Sequence, residues 1–178
     1  MGSVKSEENT NLYYLVVGGE VLILILCVND LFLTGSLGLR EECKRDLAAD
    51  FEMKDLGLTH YFLGMEVRQT DGEIFIGQGK YCIEILRRFE MEDCRAMSTP
   101  MITNWRKIDA SKEKDVDPTL YRQLIGSLMY LVNTKPNISY AVNYLSQLVV
   151  EPKGVHWMAA KHTLRYLCGI IEHGIRYA

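Results

Sequence analysis

The 178-residue sequence predicts an α+β chain, with hairpins and a helix in its first half and helices in its last third. Three observations carry this. Residues 21–33 form an apolar run broken only by Asn29-Asp30, the pattern of core strands around a bend. Gly18-Gly19 and Asp71-Gly72 sit between β-prone runs, as hairpin turn pairs do. From Leu120 onward, apolar residues recur at helical spacing between Pro- or Gly-containing breaks.

The elements follow in order. Residues 1–11 are polar and predict a disordered extension. Leu12–Val17 predicts a strand, and residues 21–28 predict a second one apolar on both faces. Asp30 stands at the bend, where a carboxylate among core residues costs desolvation energy unless a cation binds it. Leu39, Cys43, Leu47 and Phe51 share a helical face, and Gly57 fits that helix's stop. Residues 61–68 and 73–77 predict a hairpin, and residues 80–89 a helix with Tyr81, Ile85 and Phe89 on one side. Residues 97–118, with Pro100 and Pro118, read as a mobile linker. Leu120, Leu124, Leu128 and Leu131 then make a stripe; Asn137 can cap a second helix, and residues 155–171 predict a third.

Five stretches in fixed order carry a family resemblance. Cys27-Val28-Asn29-Asp30 resembles the Tyr-Val-Asp-Asp hairpin of copia-type LTR-retrotransposon reverse transcriptases. Phe51-Glu52-Met53-Lys54-Asp55-Leu56-Gly57, Tyr61-Phe62-Leu63-Gly64-Met65-Glu66-Val67, the block 121–131 and Leu164-Arg165-Tyr166-Leu167 are similar to that family's later blocks. The resemblance implies a partial polymerase palm over 12–96 and a helical thumb-like bundle over 119–178, joined by the linker 97–118. It also implies a primer-grip-like role for Phe62, Leu63, Gly64 and Met65, for which packing of an ordinary hairpin is an equal alternative.

By resemblance the chemistry would be RNA-directed DNA synthesis, with Mg²⁺ as cofactor. Two-metal nucleotidyl transfer needs clustered carboxylates to hold both ions. The family takes them from both hairpin Asp residues and one on an earlier strand. Here Asp30 is the catalytic and metal-ligand candidate, while Asn29 replaces the other hairpin acid with a neutral amide, and the chain starts just before the hairpin. Weak or absent Mg²⁺ binding and an inactive polymerase are therefore expected. Lys135-Pro136-Asn137 and Cys168-Gly169-Ile170 stand where the family tends to have Arg-Pro-Asp and Lys-Gly-Thr, a thinning of charges expected to face nucleic acid.

A net charge of -3 argues against strong nonspecific nucleic-acid binding. Residues 121–178 carry six basic and two acidic side chains, so the best phosphate-facing candidates lie there: Lys161, His162 and Arg165. Five scattered cysteines without a Cys-x-x-Cys suggest neither zinc nor disulfides, and reduced thiols in an intracellular, cytoplasmic or nuclear protein. The apolar run is too short to span a bilayer, and only Gly2, in a myristoylation-like pattern, suggests a membrane. Three functions stay open: a polymerase fragment inactive alone, a protein-interaction module pairing with itself or a partner through the uncovered sheet, and a weak primer–template binder using the last helices.

Overall fold

The computed structural model describes residues 4–102 and 113–178; Gly2 and residues 103–112 of the expected linker lie outside the described residues. The chain divides into two compact units, Met1–Gly57 and Leu58–Ala178. The α+β class is observed, as two four-stranded antiparallel sheets and five α-helices among the described residues.

The first unit is a sheet in the order β1 (Val4–Lys5), β2 (Leu12–Val17), β3 (Glu20–Cys27), β4 (Asp30–Gly35), with α1 (Leu37–Asp50) packed on β3 and β4. Gly18 and Gly19 have φ of 60° and 87°, the left-handed pair that a two-residue hairpin demands. Where a disordered extension was expected, Val4 and Lys5 pair with Tyr14 and Tyr13, because the outer edge of β2 offers unpaired backbone groups. Strand alternation separates the two faces. Leu22 is buried, as is Cys43 on α1. Tyr14, Val16, Val21 and Ile25 lie on the opposite face and are exposed. The strand that is apolar on both faces thus exposes one of them, while α1 packs on β3 and β4.

That helix also stops sooner than Gly57. Phe51 is extended (φ -134°, ψ 145°) and exposed, so it leaves the face shared by Leu39 and Cys43. Asp55 accepts the Gly57 N–H at 2.9 Å and pairs with Lys44 at 3.0 Å, and Gly57 at φ 74° serves this local turn.

The second unit holds the core. Its sheet runs β5 (Tyr61–Phe62), β6 (Met65–Thr70), β7 (Glu73–Gly77), β8 (Gly174–Tyr177), and its helices are α2 (Gly79–Arg88), α3 (Pro118–Leu131), α4 (Ser139–Ser146) and α5 (Gly154–Cys168). Ile85, Leu124, Leu128, Leu145, Leu164 and Leu167 are fully buried where the helices meet. Asp117 caps α3 by accepting the Thr119 N–H at 2.8 Å, with Pro118 preset in the first turn.

Several expectations change here. The tail is not all helical, because β8 pairs along β7 from Gly77↔Gly174 to Ile74↔Tyr177. Leu120 is exposed, and Tyr121 takes the buried position, its hydroxyl donating to the Leu145 carbonyl at 3.1 Å. Asn137 donates to the Tyr166 hydroxyl at 2.7 Å instead of capping α4. The strands at 61–77 belong to the unit of the helices, so the contacts divide at Gly57/Leu58 and not within 97–118. The start of that expected linker is fastened to α5: Met97 N–H donates to the Arg165 carbonyl at 3.2 Å, and Thr163 Oγ1 to that of Pro100 at 2.9 Å.

Two histidines of α5 give this unit a pH dependence. Burial, then Lys153, holds His156 below its ordinary value, and its Nδ1 accepts the Lys153 N–H at 3.1 Å. Burial, then Arg165, does the same to His162. Each folded ring binds its proton less readily than the unfolded one. Their contribution is complete above about pH 6.5, the unfolded value, and is lost as pH falls below it toward the folded values. Urea unfolding between about pH 7.5 and 5.5 is expected to show the midpoint falling with pH, and His156→Gln should flatten part of that slope.

Candidate functional site

The β3–β4 hairpin places the candidate residues. Cys27 pairs with Asp30, leaving Val28 and Asn29 as a two-residue turn. Val28 is 99% exposed and sits at φ 53°, a region costly for a β-branched side chain. Nothing apolar holds that side chain, so the strain of roughly 1–3 kcal/mol is imposed by the pairing on both sides of it. Val28→Gly is expected to stabilise the chain by about 1 kcal/mol, the relief of strain exceeding the entropy glycine adds to the unfolded state. A rise in the urea midpoint at constant slope is the observation that checks this.

Asn29 and Asp30 are both exposed. The register puts Asp30 on the face of Ile25 and Phe32, which is the open face of the sheet. The desolvation expected for this carboxylate does not arise. Among the described residues no three His, Cys, Asp or Glu side chains converge to hold a metal ion. One carboxylate beside a neutral amide does not fit a pair of magnesium ions, which need near-ideal oxygen geometry and carboxylate charge. No catalytic step through metal can be built on this hairpin alone.

The primer-grip-like stretch forms the β5–β6 corner. Leu63 and Gly64 make its turn at φ 47° and 76°, while Phe62 pairs with Met65. The turn is docked on α3, where the Tyr130 hydroxyl donates to the Leu63 carbonyl and the Tyr130 ring meets Tyr81 edge-on at 4.9 Å. A Cβ at Gly64 would lie 2.5 Å from the Tyr130 hydroxyl. Gly64→Ala is therefore expected to cost roughly 1–3 kcal/mol, from the positive φ and the displaced tyrosine together. Thermal unfolding reads it directly.

The cationic candidates on α5 separate. His162 is 9% exposed, with Nε2 3.0 Å from the Thr99 carbonyl, so its ring is committed inside the unit. Arg165 Nε donates to the Arg95 carbonyl at 3.0 Å, and Lys161 Nζ stands 5.7 Å over the Trp157 ring. Lys135 stands at one of the positions that the resemblance marks as thinned of nucleic-acid-facing charge. It is 1% exposed, and Nζ donates to the carbonyls of Ile170, Ile171 and His173 at 3.0, 2.9 and 2.7 Å. Its role is to hold the end of α5 and the start of β8.

With this geometry in place, the family model for "Reverse transcriptase (RNA-dependent DNA polymerase)" matches residues 3–103, more than half of the chain. The chain belongs to the reverse transcriptase family. More narrowly, it is similar to part of the Pol polyproteins of copia-type retrotransposons. It is 37% identical over 176 residues to the retrovirus-related Pol polyprotein from transposon RE2 of Arabidopsis thaliana, covering 98% of this chain and 12% of that protein. It is 34% identical over 158 residues to that from transposon TNT 1-94 of Nicotiana tabacum, covering 83% of this chain and 12% of the other. An uncharacterized mitochondrial protein of Arabidopsis thaliana is 40% identical over 155 residues, 86% of this chain and 64% of its own length. The chain thus spans about an eighth of the Pol polyproteins it matches, 12% of each. No solved structure matches it. Among the described residues no helix is long and apolar enough to cross a membrane.

Proposed function

We propose that these 178 residues, taken by themselves, are a non-catalytic part of a copia-type reverse transcriptase. The β3–β4 hairpin belongs to its palm, and α3 to α5 form its thumb-like part. The observation that supports this reading is the charge at the turn, where Asn29 leaves Asp30 without a second carboxylate. Purified chain with a primer–template duplex, nucleoside triphosphates and Mg²⁺ or Mn²⁺ is expected to extend no primer. Extension above background that disappears in Asp30→Ala would defeat the proposal.

A second reading rests on the open face of the first sheet. Tyr14, Val16, Val21 and Ile25 are exposed together there, and each large apolar side chain left in water forgoes roughly 1.5–3 kcal/mol of burial. On this reading the face pairs with a second copy of the chain, and Val16→Lys in β2 breaks the pairing. Sedimentation at tens of micromolar, a range of order 10⁻⁵ M, is expected to show a dimer that this substitution dissociates. A monomer in both samples would rule the pairing out.

A further inference from the structure

We propose that Cys94 and Cys168 form a reversible disulfide that locks the segment after α2 onto the end of α5. All five cysteines of the described chain are free thiols in this structure, but these two differ from the rest in placement. Cys168 is the neighbour that, after burial, most raises the pKa of the Cys94 thiol. Cys168 Sγ also approaches the Glu92 carbonyl at 3.7 Å. The segment just after Cys94 is held alongside the end of α5. Arg165 Nε donates to the Arg95 carbonyl at 3.0 Å, and the Met97 N–H to the Arg165 carbonyl at 3.2 Å. The Ala96 Cβ stands 3.3 Å from where a Cβ on Gly169 would be. These contacts bring the two cysteine-bearing segments side by side, the first condition for a bridge, which distant cysteines fail.

Access favours the same pair. Both side chains are partly exposed, and Cys94 lines an open groove of about 430 Å³ together with Arg87, Glu90, Glu92 and Asp93. Cys43 and Cys82 are buried, and Cys27 lies in the other unit. Three carboxylates in the groove disfavour an anionic oxidant, so the co-reactant is a small neutral disulfide. Cys94 thiolate attacks one sulfur of that disulfide and expels the first small thiol. Cys168 thiolate then attacks the Cys94 sulfur and expels the second. Two protein thiols give up two electrons and two protons, and one small disulfide becomes two thiols. Burial, then the neighbouring Cys168, pushes the Cys94 thiol up to about 11, which slows the first attack at neutral pH. The exchange is therefore expected over hours at pH near 8.5, a range set by thiolate fraction.

The experiment incubates the full chain with bis(2-hydroxyethyl) disulfide, then titrates thiols under denaturing conditions and maps peptides without reduction. The expected result is a fall from five titratable thiols to three, a mass lower by about 2 Da, and a 94–168 linked peptide that dithiothreitol removes. In Cys168→Ser, Cys94 should stop at the mixed disulfide with the small thiol. A link that involves Cys82, cross-linking between chains only, or five thiols remaining would each overturn the proposal. The wild-type peptide map decides even if a serine variant fails to fold.

Discussion

Replacing Lys135 by Ala is expected to destabilise the chain by roughly 3–5 kcal/mol, the range for stripping one partner from a buried charged contact. The side chain is 1% exposed, and its three ammonium hydrogens are matched to three backbone carbonyls, of Ile170, Ile171 and His173. Burial lowers its pKa from the ordinary lysine value, yet these contacts need the protonated form as donor. Removing the ammonium leaves carbonyls at the exit of α5 without that donor, and each unsatisfied buried group costs about 1–3 kcal/mol. The same carbonyls lead into β8, so strand pairing with β7 should loosen as well. Lys135→Met keeps most of the stem and loses the donors. If its thermal midpoint falls nearly as far as that of the alanine variant, by about 10 °C, hydrogen bonding is the cause. A methionine variant as stable as the parent would show that the stem's packing matters instead.

Lys135 also shows where the sequence stops being informative. A lysine before Pro136, at a break in helical periodicity, reads as an exposed loop residue, and nothing local announces carbonyls 35 or more positions downstream. Long-range pairing hid β8 for the same reason, since its partner strand lies about a hundred residues earlier and Gly174–Tyr177 is too short to show alternation. Local signals served better. The glycine pairs and Asx-type turns gave the hairpins because left-handed backbone has a residue signature. Periodicity gave the buried Leu124, Leu128 and Leu131, but it also counted Phe51 and Leu120, which lie at helix ends where spacing no longer fixes direction. At the candidate site, the identities of Asn29 and Asp30 were legible, and so was the charge deficit. Their exposure was not, and neither was the left-handed Val28, because a β-branched residue argues against that conformation.

Divalent-cation binding carries the second large effect. An intact two-metal centre holds its ions by several carboxylates at once, and without them neither the attacking nor the leaving oxygen is stabilised by metal. At the hairpin, Asp30 lies on the open face of the sheet with Asn29 beside it, and the described residues gather no cluster of three His, Cys, Asp or Glu side chains there. A lone exposed carboxylate competes poorly with water for Mg²⁺, which surrenders its hydration shell reluctantly. Asn29→Asp doubles the charge at the turn and should raise affinity measurably, still short of the two-ion occupancy that polymerisation requires. The deciding measurement is a calorimetric titration of Mn²⁺ into the chain alone, repeated with Asp30→Ala. The charge deficit at the hairpin predicts no saturable heat in the millimolar range, on the order of 10⁻³ M, and no difference between the two proteins. Two saturable sites in the parent that are absent from Asp30→Ala would contradict it.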